Sequence, residues 1–247
     1  MPVLHVVIPF LNEAPTLEAA VNRVLKAPTP KGWGLSIVLV DDGSETPTSL
    51  IAKEIAAKNE KITLVQHDVN QGKGTAVKSG FLSVVPHASD QDVVAIQDAD
   101  LEYDPADLNT LLEHMNQQHA DAIIGNRWTS PPRSLKARIH RLGNTVLTRM
   151  SNSKTGLKLN DMECCYKLIR IPMLQRILPQ LTEPRFGIEP QIMAALARND
   201  ATVVEGPVSY SPRGIQEGKK IGVRDAIEAI RVIRREHALT VRTRKNA

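Results

Sequence analysis

Five short apolar runs divide the first half of the chain, and each stops in a polar loop. LHVVIPF (4–10) runs into LNEAPT, LSIVLVDDG (35–43) into SETPT, ITLVQH (62–67) into DVNQGKGTA, DVVAIQD (92–98) into ADLEYD, and ADAIIGN (120–126) into RW. The runs are β-branched and apolar without alternation, the pattern of strands covered on both faces of a parallel sheet. Segments with helical spacing separate them, roughly Thr16 to Lys26, Pro47 to Lys58, Lys73 to Val85 and Pro105 to Gln118. This alternation predicts an α/β fold, a mostly parallel sheet flanked by helices and wound with right-handed crossovers. Ligands of such sheets sit beyond the carboxyl ends of the strands, where the polar loops fall.

The fourth of these loops is the most unusual. Asp98, Asp100, Glu102 and Asp104 follow a buried strand within a few residues. Desolvated like charges repel, so such a cluster needs positive partners. An Asp-X-Asp at a strand end offers two hard oxygen ligands, the chemistry preferred by Mg²⁺ or Mn²⁺ with phosphate oxygens completing the shell. Lys73 lies between Gly72 and Gly74 at a predicted helix N-terminus, which suits an anion, although the spacing is neither that of a P-loop nor of a dinucleotide fingerprint. Asp41 and Asp42 before Gly43 and Ser44 fit a turn and helix cap as well as a ligand site. His5, in a strand, and His67, at a strand end, read as packing or surface residues.

Composition narrows the setting. No run approaches the roughly 20 apolar residues of a membrane span, and MPVLHVVIPF lacks the basic region of a signal peptide, so a cytoplasmic protein is expected. The adjacent Cys164 and Cys165 make neither a disulfide framework nor a metal site. A net charge of +4 fits an anionic substrate or a membrane surface, and no nucleic acid partner is expected. Beyond residue 130 the pattern loosens into a basic helix-like stretch, RSLKARIHRLGNTVLTRM, then NDMECCYKLIR, a helix candidate EPQIMAALARN and a strand-like ATVVEGPVSYSP.

In order and spacing, VVIPFLNEAPTL, VLVDDGSETPT, NQGKGTAVKSGF, IQDADLEYDP and GNRW resemble the nucleotide-sugar-binding domain of family 2 glycosyltransferases of GT-A fold. NDMECCYKLIR, RFGIEPQIMAALAR and SYSPRGIQEGKKIGVRDAIEAI resemble the acceptor half of the dolichol-phosphate mannose synthases and related polyprenyl-phosphate glycosyltransferases. The resemblance spans roughly residues 3 to 235 and departs from related sequences at Cys165 and Gln191. It implies one GT-A catalytic domain over 1–247: a nucleotide-sugar half (1–128), an acceptor half (129–224) and a basic C-terminal helix or tail (225–247).

The resemblance carries roles for individual residues through its motifs. Pro9, Asn12, Glu13 and Asp42 match positions that hold the base and ribose, Lys73 the loop nearest the nucleotide, and Asp98 and Asp100 the metal motif, with Glu102 a further ligand. Mg²⁺ or Mn²⁺ is the implied cofactor, GDP-mannose or UDP-glucose the implied donor, and an inverting transfer to a polyprenyl or dolichyl phosphate the implied reaction. A phosphate monoester is already anionic near neutral pH and needs cations rather than a base. Arg127, Arg138, Arg141, Arg213, Lys219 and Lys220 are the candidates, with Arg127, Arg213 and Lys219 favoured by the motifs. Asp161 and Glu189 match acidic positions near the acceptor, and Trp128 could lie against either substrate. Two alternatives stand: a same-fold enzyme with a hydroxyl acceptor and Asp161 as base, or a nucleotide-sugar-binding protein without turnover. Gly214, Gly218 and Gly222 predict a loop that folds over the phosphates. The tail carries Arg231, Arg234, Arg235, Arg242, Arg244 and Lys245 with Val232, Ile233, Leu239 and Val241 between them, and suggests peripheral contact with anionic lipid.

Overall fold

A computed structural model describes residues 1–129, 135–213 and 223–246, with side chains outside that description at 135–137, 223–225 and 240–246. The apolar runs form β1 (Val3–Phe10), β2 (Gly34–Asp41), β3 (Ile62–Gln66), β4 (Val93–Ile96) and β5 (Ala122–Asn126). Between them lie α1 (Leu17–Lys26), α2 (Thr46–Ala57), α3 (Lys73–Val84) and α4 (Ala106–Gln117). Helix α1 buries Leu17, Ala20, Val21 and Val24, the i, i+3, i+4, i+7 stripe that its sequence spacing requires.

The second half adds α5 (Leu135–Thr155), β6 (Lys167–Arg170), α6 (Ile171–Ile177), α7 (Ile188–Arg198), β7 (Val203–Pro207) and α8 (Val223–Asn246). The sheet order is β3-β2-β1-β4-β6-β5-β7. β1 pairs in parallel with β2 and β4, as do β2 with β3 and β5 with β7, while β6 runs antiparallel to both β4 and β5. Six strands therefore point one way, and their ends place the β1, β2, β4 and β5 loops along one edge. The antiparallel β6 has no counterpart in the sequence reading. It is four residues long, and its fully buried Lys167 hides the apolar pattern that would mark a central strand.

One close approach joins the halves at that edge. The segment before α7 crosses the start of α3, and Thr75 N–H donates to the Pro184 carbonyl at 3.1 Å. Gly72 has φ 100°, and a Cβ there would lie 2.4 Å from the Pro184 oxygen; one at Gly74 would lie 2.1 Å from the Glu183 oxygen. Glycine at both positions is a steric requirement of this crossing.

The C-terminal segment is helical, and α8 packs on α5 and α7. Val232 and Ile233, expected to be available to lipid, are buried on the protein side of the helix. Glu236 is buried too and accepts from Arg198 (2.6 Å), Arg235 (2.6 Å) and Gln191 (3.0 Å). Arg231 and Arg234 are exposed. The side chains of Val241, Arg242, Arg244 and Lys245 lie outside the described ones.

Candidate active site

The end of β4 places Asp98 and Asp100 at the sheet edge. Lys73, in the first turn of α3, sits against Asp98 at 2.9 and 3.1 Å and reaches Glu189 at 3.3 Å. Burial pushes the Asp98 carboxyl up, but the charge and hydrogen bond of Lys73, with help from Cys165 and Lys167, together leave Asp98 below the ordinary carboxylate value. Burial likewise opposes the charge on Lys73, which Asp98 and other neighbouring groups nevertheless hold well above the usual lysine value. Asp100 goes the other way. Burial, then the charges of Asp98 and Glu102, raise it to about 6 against the pull of the Glu102 N–H and of Arg213. Arg213 reaches Asp100 at 3.3 Å and spans to Glu13 at 3.0 and 3.3 Å, tying the β1 loop to the β4 loop.

The expected third ligand is used differently. Glu102 accepts from the Tyr210 hydroxyl and the Arg213 backbone N–H, both at 2.8 Å, so its oxygens hold the segment after β7. Among the described residues no group of three or more His, Cys, Asp or Glu is arranged to hold a metal ion.

The nucleotide-side candidates separate into two sets. Pro9, Glu13 and Asp42 line the same cavity as Lys73, Asp98, Asp100, Arg127 and Arg213. Asn12 does not; with φ 56° its side chain accepts from Glu45 N–H at 2.8 Å and its own N–H donates to Ser44 Oγ, fastening the β1 loop to the β2 loop. Asp42 is buried, accepting N–H bonds from Gln71 and Gly72 (2.9 and 2.8 Å) and lying 2.8 Å from the His67 ring. Those bonds shape the turn that presents Lys73, and they account for His67. His5 pairs with Asp92, away from this edge.

Across the cavity, Arg127 and Asp161 form a closed unit. The guanidinium meets both carboxylate oxygens at 2.7 Å, the Arg127 backbone N–H adds 3.0 Å, and Asn144 donates at 3.0 Å. Asp161 is fully buried, and its four accepted bonds match the lone-pair sites of a carboxylate. Arg127 lies 5.2 Å from both the Trp128 and Tyr210 rings, and Arg141 lies 5.9 Å from Trp128. Arg138 is exposed on α5. Lys219, Lys220 and the glycines of the expected closing loop lie outside the described residues.

Two charged residues escaped the sequence reading. Lys167 inserts between the Cys164 carbonyl and Glu189, so that Glu189 bridges two lysines at the α7 N-terminus. Glu163 lines the cavity with Oε1 lacking a hydrogen-bond partner among the described residues. Burial, then the charge of Glu189, push it to about 7 against Lys167 and Arg127. Both lie in NDMECCYKLIR, where Asp161 drew the attention.

The cavity holds about 400 Å³ and opens on the loops that follow β1, β2, β4 and β5. Residues 5–178 match the family model described as Glycosyl transferase family 2. The chain is 27% identical to glycosyltransferase AglD of Haloferax volcanii, over 98% of this chain and 38% of that protein. It is 30% identical to the undecaprenyl-phosphate 4-deoxy-4-formamido-L-arabinose transferase of Pectobacterium atrosepticum, over 71% of this chain and 51% of that one. It thus spans only about two fifths to half of these relatives. Glucosyl-3-phosphoglycerate synthase of Mycobacterium tuberculosis, solved with Mn²⁺, UDP and phosphoglyceric acid, superimposes with a TM-score of 0.69 at 14% identity, covering 96% of this chain and 78% of that one. The α/β sheet is thereby of GT-A type, and a family model matched across β1 to β6 leaves one assignment: the chain belongs to glycosyltransferase family 2.

Proposed function

We propose that this chain transfers a hexosyl group, with inversion, from a nucleotide diphosphate sugar to a polyprenyl phosphate. The observation that carries the proposal is that two strand-end carboxylates, Asp98 and Asp100, line one cavity together with Lys73 and Arg213. Such a mixture suits a ligand with its own phosphates and a bridging cation. Relatives named for undecaprenyl-phosphate and dodecaprenyl-phosphate sugar transfer support the acceptor class. GDP-mannose and UDP-glucose are the donors to try first, with dolichyl phosphate among the acceptors.

Asp98 and Asp100 fit a divalent cation: they are hard oxygen donors, and burial together with the charges of Asp98 and Glu102, which lift Asp100 to about 6, is what a bound cation would offset. Glu102, the further ligand that the resemblance implies, already accepts from Tyr210 and the Arg213 N–H. Mg²⁺ or Mn²⁺ bound there would neutralise the diphosphate leaving group. Lys73 and Arg213 then hold phosphate charge at the two sides of the cavity, and the acceptor phosphate, already ionised, attacks without a base. The sugar's anomeric carbon gains a bond to the acceptor oxygen and loses its bond to the nucleotide diphosphate.

A second reading, a hydroxyl acceptor, needs a base. Asp161 cannot serve, because four N–H groups occupy its carboxylate. Glu163, at about 7 with one oxygen unbonded, favours that reading. Incubating the chain with each donor, Mn²⁺ and a short polyprenyl phosphate separates the two. Formation of glycosyl phosphate product, lost in Asp100→Asn together with metal-dependent nucleotide binding by calorimetry, is the expected result. Product formed only on a hydroxyl acceptor, and lost in Glu163→Gln, would overturn it.

A further inference from the structure

Helix α5 exposes apolar side chains while it buries polar ones. Beside Leu147 and Met150, which pack against the core, Asn144, Thr148 and Ser151 are nearly inaccessible, with Asn144 on Asp161 and Thr148 Oγ1 accepting from Met162 N–H at 3.2 Å. Its outward side carries Ile139, Leu142 and Val146, exposed to 64%, 65% and 50%. At about 100° per residue these three fall within an arc of about 60°, nearly opposite the buried polar row. A soluble helix normally has the reverse arrangement, and a contiguous exposed apolar stripe marks an interaction surface.

Charge identifies the partner. The segment LKARIHRLGNTVLTRMSNSKT contains Lys136, Arg138, Arg141, Arg149 and Lys154 and no carboxylate. Arg138 and Arg149, both exposed, border the stripe on one side. An apolar row edged by cations is the form of a helix lying in the interface of an anionic membrane. The helix also touches the cavity, since His140 lines it and Arg141 stacks near Trp128. By contrast, α8 buries Val232 and Ile233, and its exposed Ile227 and Leu239 point about a third of a turn apart.

We infer that the outward face of α5 docks on an anionic phospholipid bilayer, with Ile139, Leu142 and Val146 entering the interface and the cavity mouth held at the membrane surface. The identity of the surface rests on α5 alone; its use in catalysis rests on the polyprenyl phosphate reading. The test is co-sedimentation of the full chain with vesicles of phosphatidylcholine, with and without phosphatidylglycerol. The chain should bind the anionic vesicles, less well in high salt. Combined Ile139→Gln, Leu142→Gln and Val146→Gln should weaken binding about tenfold or more at an unchanged unfolding midpoint, because the replaced side chains are exposed. Leu142→Trp keeps the surface apolar, and its emission should shift to the blue on anionic vesicles. The triple variant should still transfer sugar to a short, water-soluble polyprenyl phosphate. Failure of that transfer in wild type as well refutes the acceptor reading while vesicle binding still decides the surface. Wild type that ignores anionic vesicles, a triple variant that binds as wild type does, or a wild-type dimer that the triple variant dissolves, overturns the docking surface.

Discussion

Two acid–base clusters face one another across the cavity. In the Arg127–Asp161 unit every carboxylate lone pair meets an N–H of the protein, and the carboxylate is wholly buried. In the Asp98–Asp100 cluster burial, then the neighbouring carboxylate charges, lift Asp100 to about 6 despite Arg213. The first is complete without a ligand and acts as framework, fixing the β5 loop to α5 and to the segment before β6. The second is left with excess negative charge that a cation bridging to phosphate would balance. Charged residues at one sheet edge thus divide by whether the protein satisfies them.

The largest effect should come from breaking the complete cluster. Asp161→Ala leaves the Arg127 guanidinium buried without its partner, an arrangement that costs on the order of 3–5 kcal/mol. Chemical denaturation should show that loss directly, with or without nucleotide. Asp100→Asn removes a repelling charge instead and should leave the unfolding midpoint at or above that of wild type. Equal destabilisation by both variants would erase the distinction between the clusters.

Next in size is Glu163, which lines the same cavity. Its folded-state pKa of about 7 lies above the ordinary glutamate value, so between the two values the folded chain keeps a proton that the unfolded chain has lost. Stability must therefore fall as pH rises through that window and level off above about 7. Glu163→Gln should lack this slope and at pH 8 should exceed wild type by on the order of 3 kcal/mol. Unfolding curves at a series of pH values check this, and parallel pH dependence in both proteins would refute it.

The first half was largely legible because its physics is local. Buried parallel strands need unbroken apolar runs, and the helices between them need a single stripe, so β1 to β5 and α1 to α4 fall where periodicity places them. The site loops were legible for the same reason, since each begins where an apolar run stops. β6 was not, because its Lys167 is paid for by Glu189 and the Cys164 carbonyl, partners distant in kind from any strand signal. The roles of Asp42, Asn12, Asp161 and Glu102 were also beyond the sequence. A carboxylate or amide that organises backbone looks identical, residue by residue, to one that waits for a ligand. The basic α8 shows the limit once more: Val232 and Ile233 read as surface until α5 and α7 cover them.

The smallest expected effect makes the finest division, because Glu102 belongs to both clusters. Its backbone N–H donates to Asp100 at 3.1 Å, while its side chain accepts from Tyr210, whose ring lies 5.2 Å from the Arg127 guanidinium. If the side chain serves the framework, Glu102→Gln keeps its one amide oxygen for the Arg213 N–H and turns its NH2 to the Tyr210 hydroxyl, which then accepts, so that only the charge strengthening the two bonds is lost. That loss is about 1 kcal/mol of stability. Removing the charge also relieves Asp100, so metal-dependent nucleotide binding should change by no more than about threefold, whereas Asp98→Asn should abolish it. Calorimetric titration of Mn²⁺ and nucleotide into the two variants decides the point: loss of metal-dependent binding in Glu102→Gln would return Glu102 to the ligand set and merge the two clusters into one.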